Sequence, residues 1–225
     1  MPTGMFFLIL GPSGSGKGTV ITHLKKALSE AVFPLSCTTR PPRPREKDGE
    51  VYNFVTKEEF RRRIDAGEFL EWALVHNDNM YGTLKQPIMD ALDAGKLVIR
   101  EVDMQGVESI RKIFGPDRVK AIFITSPSWE SLKTRILKRS QLPDEELHQR
   151  EESYKKEMLF ASQCDYVVMS EDGKIPEVCA EVEGIIRRSG EFLFWEIFLK
   201  PAEKTCTPSY HRNRYKIVPF QSHTY

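Results

Sequence analysis

The sequence predicts an α/β chain built on a parallel sheet with helices on both faces. Three observations carry this expectation: an unbroken apolar run ending in a glycine-rich loop, a switch to helical spacing directly after that loop, and later short apolar runs that alternate with helical stretches. The first run, Met5 to Leu10, is bulky and uninterrupted, as a central strand buried on both faces requires. Beyond the loop, Val20, Ile21, Leu24, Ala27 and Leu28 recur near a helical period, so the loop joins a strand to a helix. Leu97 to Ile99, Val119 to Thr125 and Tyr166 to Met169 are the further strand candidates, each near a helical stretch.

Ser36 to Lys85 breaks this rhythm. It is rich in Pro, Arg and aromatics and then carries a helix opened by Thr56 and Glu59 at capping-box spacing, with Gly67 placed as its C-cap. This region reads as an insertion that binds substrate. A polar, helical stretch from Trp129 to Arg150, punctuated by Arg135, Arg139 and Arg150, reads as a second insertion. From Ser189 the composition changes again: an apolar and aromatic run, Phe192 to Leu199, leads into Pro201, Pro208, Pro219 and scattered basic residues, the pattern of a docking segment followed by a weakly ordered tail.

The chain has 225 residues, enough for one ordinary domain with small insertions. Its 33 Lys and Arg nearly balance 32 Asp and Glu, without the basic excess of a dedicated nucleic-acid binder. The N-terminal apolar run is far shorter than the roughly 20 residues that span a bilayer and lacks a basic leader or cleavage site, so a cytoplasmic protein is expected, with no membrane partner. Cys37, Cys164, Cys179 and Cys206 are widely spaced and read as reduced thiols.

Gly11, Pro12, Ser13, Gly14, Ser15, Gly16 and Lys17 satisfy the G-x-x-x-x-G-K part of the P-loop pattern, between the required strand and helix. Glycines let the backbone close around phosphate oxygens with its N–H groups pointing inward, and the helix N-terminus adds positive partial charge. Lys17 supplies a full charge for the β- and γ-phosphates. The hydroxyl residue usual after the lysine is absent: Gly18 stands there and Thr19 follows, an ending that resembles the loop of adenylate kinases. Thr19 is the candidate for contact with phosphate or for placing Mg²⁺.

The second informative block, Ser36 to Phe54, gathers Ser36, Arg40, Arg43 and Tyr52, forks and hydroxyls suited to a dianionic phosphate. The block closely resembles the GMP-binding signature of guanylate kinases. It is followed in order by E-F-L-E-W at Glu68 to Trp72, Y-G-T at Tyr81 to Thr83 and V-D-M-Q-G at Val102 to Gly106; Arg135, Arg139 and Arg150 match the family lid in order and spacing. The resemblance covers roughly residues 4 to 188.

It implies a P-loop NTPase fold with a core at 1–35, 86–128 and 151–188, a GMP-binding lobe at 36–85, a helical lid at 129–150 and an atypical tail at 189–225. It further implies an ATP:GMP phosphotransferase of purine nucleotide metabolism that uses Mg²⁺. Ser36, Arg40, Arg43, Tyr52 and Tyr81 would hold the GMP phosphate. Glu71 would accept from guanine N1–H and the 2-amino group, Thr83 would donate to O6, and Asp103 would lie close to GMP and the magnesium region, with Glu101 a weaker candidate. Adenine lacks that donor pair, and an unpaired carboxylate is costly, so the pocket would reject AMP. Lys17, Arg43, Arg139 and Arg150 would stabilise the transferring group, Arg135 would join the ATP side, and use of dGMP is left open.

Three departures stand out: Gly18, a segment His76 to Tyr81 that is one residue longer than the common loop, and Ser170 where an asparagine often follows the late strand. Two alternatives remain at this level. One is a guanylate-kinase-like interaction module without catalysis; the other is a P-loop kinase for another small molecule. The intact Lys17 opposes the first, and the Glu71 and Thr83 pair opposes the second.

Overall fold

The computed structural model describes residues 4–44, 46–75, 79–139 and 142–198. Its central sheet has β1 (Met5–Leu10) between β6 (Leu97–Glu101) and β7 (Val119–Thr125), with β8 (Tyr166–Met169) beyond β7, and every pairing is parallel. Val32 adds one parallel bridge to Val98 on the outer side of β6. All four strand candidates and their parallel arrangement are therefore as the sequence predicts, with β6 running two residues past Ile99.

The unbroken apolar run of β1 reflects burial on two faces. Met5, Phe7 and Ile9 pack on Val20 and Leu24 of α1 (Lys17–Ala27) and on Val178, Val182 and Ile186 of α7 (Ile175–Phe198). Phe6, Leu8 and Leu10 alternate onto the other face, against Ile88 and Leu92 of α3 (Gln86–Asp93) and Val107 and Ile110 of α4 (Met104–Phe114). Fully burying each such side chain contributes about 1.5–3 kcal/mol, so this strand anchors the fold and everything attached to its carboxyl end.

Residues 37–84 form a second, mixed sheet in the order β3 (Asn53–Phe54), β2 (Cys37–Thr38), β5 (Asn79–Leu84), β4 (Phe69–Val75). Its small core sets Cys37, Phe69 and Met80 against Phe60 of α2 (Lys57–Asp65), with the Phe60 and Phe69 rings stacked 4.4 Å apart. Gly82 is required under those rings, because a Cβ there would press on both. Alternation then sends its neighbours Tyr81 and Thr83 to the opposite face.

Thr56 caps α2 by accepting from the Glu59 amide, and Gly67, at φ 65°, closes its C-terminus with the paired bonds Gly67 N–H to Ile64 O and Glu68 N–H to Arg63 O. Only half of the expected capping box forms. The Glu59 carboxylate turns outward to Arg62 and Arg63, whose charge-assisted bonds at 2.7–3.0 Å hold its carboxyl down at about 2.

The polar stretch after β7 is two helices, α5 (Trp129–Arg139) and α6 (Asp144–Phe160), with Trp129 packed on Tyr154 between them. The second runs on past Arg150 and ends with Phe160 in the main core. Helix α7 likewise passes through position 188 without a break. Of the apolar run from Phe192 to Leu199, the backbone to Phe198 continues α7, and Leu199 with the remaining tail and Cys206 lies outside the described residues. Cys37, Cys164 and Cys179 are free thiols; burial pushes Cys164 up to about 12.

Candidate active site

The carboxyl ends of parallel β1, β6 and β7 open on one cleft of about 500 Å³, where a ligand is expected in an open α/β sheet. Its wall includes Gly11, Ser13 and Lys17 from the loop after β1, Glu101 and Asp103 from the end of β6, Glu157 from α6, and Glu71 and Arg100 on the side of the second sheet.

The loop is shaped by backbone. Gly11, Gly14 and Gly16 have φ of 136°, 85° and 99°, and a Cβ on Gly11 would collide with the carbonyl oxygen of Ile124 on β7. The turn therefore hugs the sheet and delivers Lys17 as the first residue of α1. Its ammonium donates to the carbonyls of Gly11 at 2.7 Å and Pro12 at 3.1 Å and lies 3.7 Å from Glu101. Ser15 is fully buried, its hydroxyl without a protein partner among the described residues. Gly18 and Thr19 are exposed on the first turn of α1, outside the cleft wall.

Of the arginines on α5 and α6, Arg150 reaches the same loop and Arg135 the segment after β8. Arg150 donates to the Ser13 hydroxyl at 2.7 Å while Glu146 braces its fork. Arg135 donates to Asp172 at 2.7 Å and to the hydroxyl and carbonyl of Ser170, so Ser170, 1% exposed, has a definite role as its acceptor. The guanidinium beside Asp172 holds that carboxyl below its ordinary range. The side chain of Arg139 lies outside the described residues.

On the second sheet, Glu71 and Thr83 sit opposite each other in the β4–β5 register, and the Thr83 hydroxyl donates to Glu71 Oε1 at 2.7 Å. A register shift between Phe69 and Glu71 is what separates them: Phe69 enters the small core while Glu71 lines the cleft. Arg100 NH2 donates to the same Oε1 at 2.7 Å and to the Ser36 hydroxyl at 3.4 Å. Arg40, Tyr52 and Tyr81 cluster, the guanidinium 5.6 Å from the Tyr52 ring and the two tyrosine rings 5.7 Å apart. Glu46 folds its loop by accepting from the Arg43 amide and the Arg40 fork; these contacts, the backbone one foremost, pull its carboxyl below the usual range. The Arg43 side chain is exposed, and Asp103 caps α4 by accepting from the Gly106 amide at 2.7 Å.

Two cleft residues escape a reading of motifs. Glu157 is buried enough to raise its carboxyl, with Lys17 opposing and Asp103 adding to that rise, and one of its oxygens has no hydrogen-bond partner among the described residues. No local signal marks it among the lysines and glutamates of α6. Arg100 did leave a signal: it interrupts the apolar run of β6 at a position whose β1 partner, Leu8, is fully buried.

A glycine-rich strand-to-helix loop, a carboxylate paired with a facing hydroxyl, and an arginine-bearing helix that brings Glu157 to the same cleft are the features of a nucleotide kinase. The guanylate kinase family model matches residues 4–189. The guanylate kinase of Thermotoga maritima is 42% identical over 169 residues, covering 75% of this chain and 80% of that one, and the guanylate kinase of Clostridioides difficile is 40% identical over 183 residues, covering 81% and 87%. The crystal structure of guanylate kinase from Anaplasma phagocytophilum superposes with a TM-score of 0.62 at 30% identity, covering 84% of this chain and 87% of that one. This chain belongs to the guanylate kinase family, as its motifs predict, and its substrates are nucleotides.

Proposed function

We propose that the chain transfers the γ-phosphoryl group of ATP to GMP, giving ADP and GDP, as a cytoplasmic enzyme of purine nucleotide metabolism that uses Mg²⁺. The observation that carries the reading is the Glu71–Thr83 pair, hydrogen-bonded at 2.7 Å, with Glu71 lining the cleft that Lys17 and Ser13 also line. A carboxylate acceptor beside a hydroxyl donor complements the N1–H, 2-amino and O6 edge of guanine. For the Thr83 proton to reach O6 it must leave Glu71, which frees an acceptor position on Oε1 for a base N–H.

An oxygen of the GMP phosphate attacks the γ-phosphorus as the bond to the β–γ bridging oxygen breaks. Catalysis is mainly alignment and charge neutralisation. Lys17 leaves the loop carbonyls for the β- and γ-phosphates, and Arg150, already at Ser13, is placed to follow the transferred group. Arg135, held between Ser170 and Asp172, serves the ATP side, and Arg139, four residues further along α5, joins Lys17, Arg43 and Arg150 in neutralising the transferred group. Ser36, Arg40, Arg43, Tyr52 and Tyr81 hold the acceptor phosphate. We assign acceptor binding to a lobe at 36–85 and closure to a lid at 129–150, within a catalytic domain of residues 1–188.

Mg²⁺ takes oxygen ligands and keeps several from water and phosphate rather than needing a protein cage. Among the described residues no group of three or more His, Cys, Asp and Glu converges as a cage, but the hard oxygens of Glu101 and Asp103 on the cleft wall fit an ion that enters with ATP. When bound, it supplies neutralisation of the β- and γ-oxygens. Thr19, exposed on the first turn of α1, is the loop hydroxyl assigned to that side.

The test is an acceptor panel with Mg-ATP and GMP, AMP, CMP or UMP. We expect GMP to exceed AMP by at least about 100-fold in kcat/KM, since each rejected base leaves a polar group of the site unpaired. Equal use of AMP overturns the assignment.

A further inference from the structure

Arg100 is the largely covered cation of the acceptor side. Its side chain is 12% exposed, and its Nε and NH1 have no partner among the described residues. Burial pulls the guanidinium below its ordinary value, with the Glu71 charge opposing. An apolar side chain would fill this position of β6 without that desolvation cost, so packing does not explain an arginine here. Its fork does. NH2 crosses from the central sheet to Glu71 Oε1 at 2.7 Å and also lies 3.4 Å from the Ser36 hydroxyl, tying together residues from three separate segments.

Oε1 of Glu71 accepts from two donors that differ in kind. Thr83 has one hydroxyl proton on a rotor, free to be given to another acceptor. Arg100 has no acceptor capacity, keeps its charge throughout the working range of pH and is anchored in the sheet. When a purine O6 draws the Thr83 proton away, the bond from Arg100 stays and keeps the carboxylate in place.

We propose that Arg100 is the positioning residue of the base-recognition carboxylate: it fixes Glu71 so that both the N1–H and the 2-amino donor of the acceptor base are met, and it thereby sets the preference for a 2-aminopurine nucleotide over one lacking that amine. This rests on the acceptor reading above. Without Arg100, Glu71 keeps its charge but loses the donor that orients it, and the second, more distant base contact weakens most.

The test compares GMP with IMP, which lacks the 2-amino group, in the full chain and in Arg100→Gln and Arg100→Lys. Expected for Arg100→Gln is a rise of about 10- to 100-fold in KM for GMP, the span commanded by a hydrogen bond between charged groups. KM for ATP should hold, and the GMP-to-IMP ratio of kcat/KM should fall about tenfold. Arg100→Lys keeps the charge without the fork and should fall between, which also preserves the test if the glutamine variant folds poorly. In a Glu71→Gln background, Arg100→Gln should leave the ratio where Glu71→Gln alone puts it. An equal loss for GMP and IMP, or a parallel rise in KM for ATP, makes Arg100 merely structural and overturns the proposal. Tighter GMP binding by Arg100→Gln overturns it too, since Arg100 would then be a competitor for Glu71. A wild-type chain without preference for GMP overturns the acceptor reading and this proposal with it; wild-type preference with an unmoved ratio overturns this proposal alone.

Discussion

The two sides of the cleft are built on different principles. The glycine-rich loop, proposed to take phosphate, is made of backbone: three glycines at positive φ, a close approach of Gly11 to Ile124, and a lysine delivered by the helix that starts at the loop. The opposite side, proposed to take the acceptor, is made of side chains: Ser36, Glu71, Thr83 and Arg100 come from four places in the chain and meet through hydrogen bonds of 2.7–3.4 Å. A backbone site fails through sterics and fails altogether. A side-chain site loses one bond at a time, and specificity goes before turnover.

The sharpest way to break that contrast is Gly11→Ala. The new Cβ meets a carbonyl of β7 rather than a side chain that can move, and the backbone strain alone costs about 1–3 kcal/mol. ATP binding, followed by calorimetry, should be lost and the melting temperature lowered; normal binding would show that the loop is more pliant than its packing implies. Lys17→Ala comes next. It leaves the turn intact and removes one cation from the transferring group, so kcat should fall about 10²–10³-fold by steady-state assay with melting unchanged.

Thr83→Val tests the other side. It removes one donor and keeps the shape, and kcat/KM for GMP should fall about 10- to 100-fold with KM for ATP unmoved. The smallest effect returns to the loop: Gly18 has no φ in the left-handed region, and a Cβ there would meet nothing within 4 Å among the described residues, unlike Gly11 seven positions before it. Gly18→Ala should stabilise by about 0.4–1 kcal/mol and leave turnover within twofold. A large loss of activity would mean that the nucleotide or its metal approaches Gly18 closely, which would also sharpen the role of Thr19.

Legibility followed the same division. β1 could be read because a strand buried on both faces has no choice but to be apolar throughout, and the phosphate loop because glycine spacing encodes its φ angles locally. Glu71 and Thr83 stood out as members of short motifs, and cross-strand register then brought them together. Arg100 showed only as a break in the apolar run of β6, and its pairing was not legible, since its partner lies 29 residues away. Glu157 was hidden for the same reason, and the contact of Arg150 with Ser13 spans 137 residues. The capping box was half right because two arginines outbid the Thr56 amide for Glu59.

By itself the sequence determined the parallel α/β class, the strand-loop-helix motif with its glycine turn and the family, because these rest on periodicity, glycine conformation and short ordered motifs that need only neighbouring residues. Tertiary structure decided where charge is placed: which carboxylate each arginine holds, how far α6 and α7 run, and that the largely covered cation of Arg100 stands behind the Glu71–Thr83 pair. Those outcomes depend on the distance and desolvation of groups brought together by the sheet, and neither quantity exists until the chain has folded.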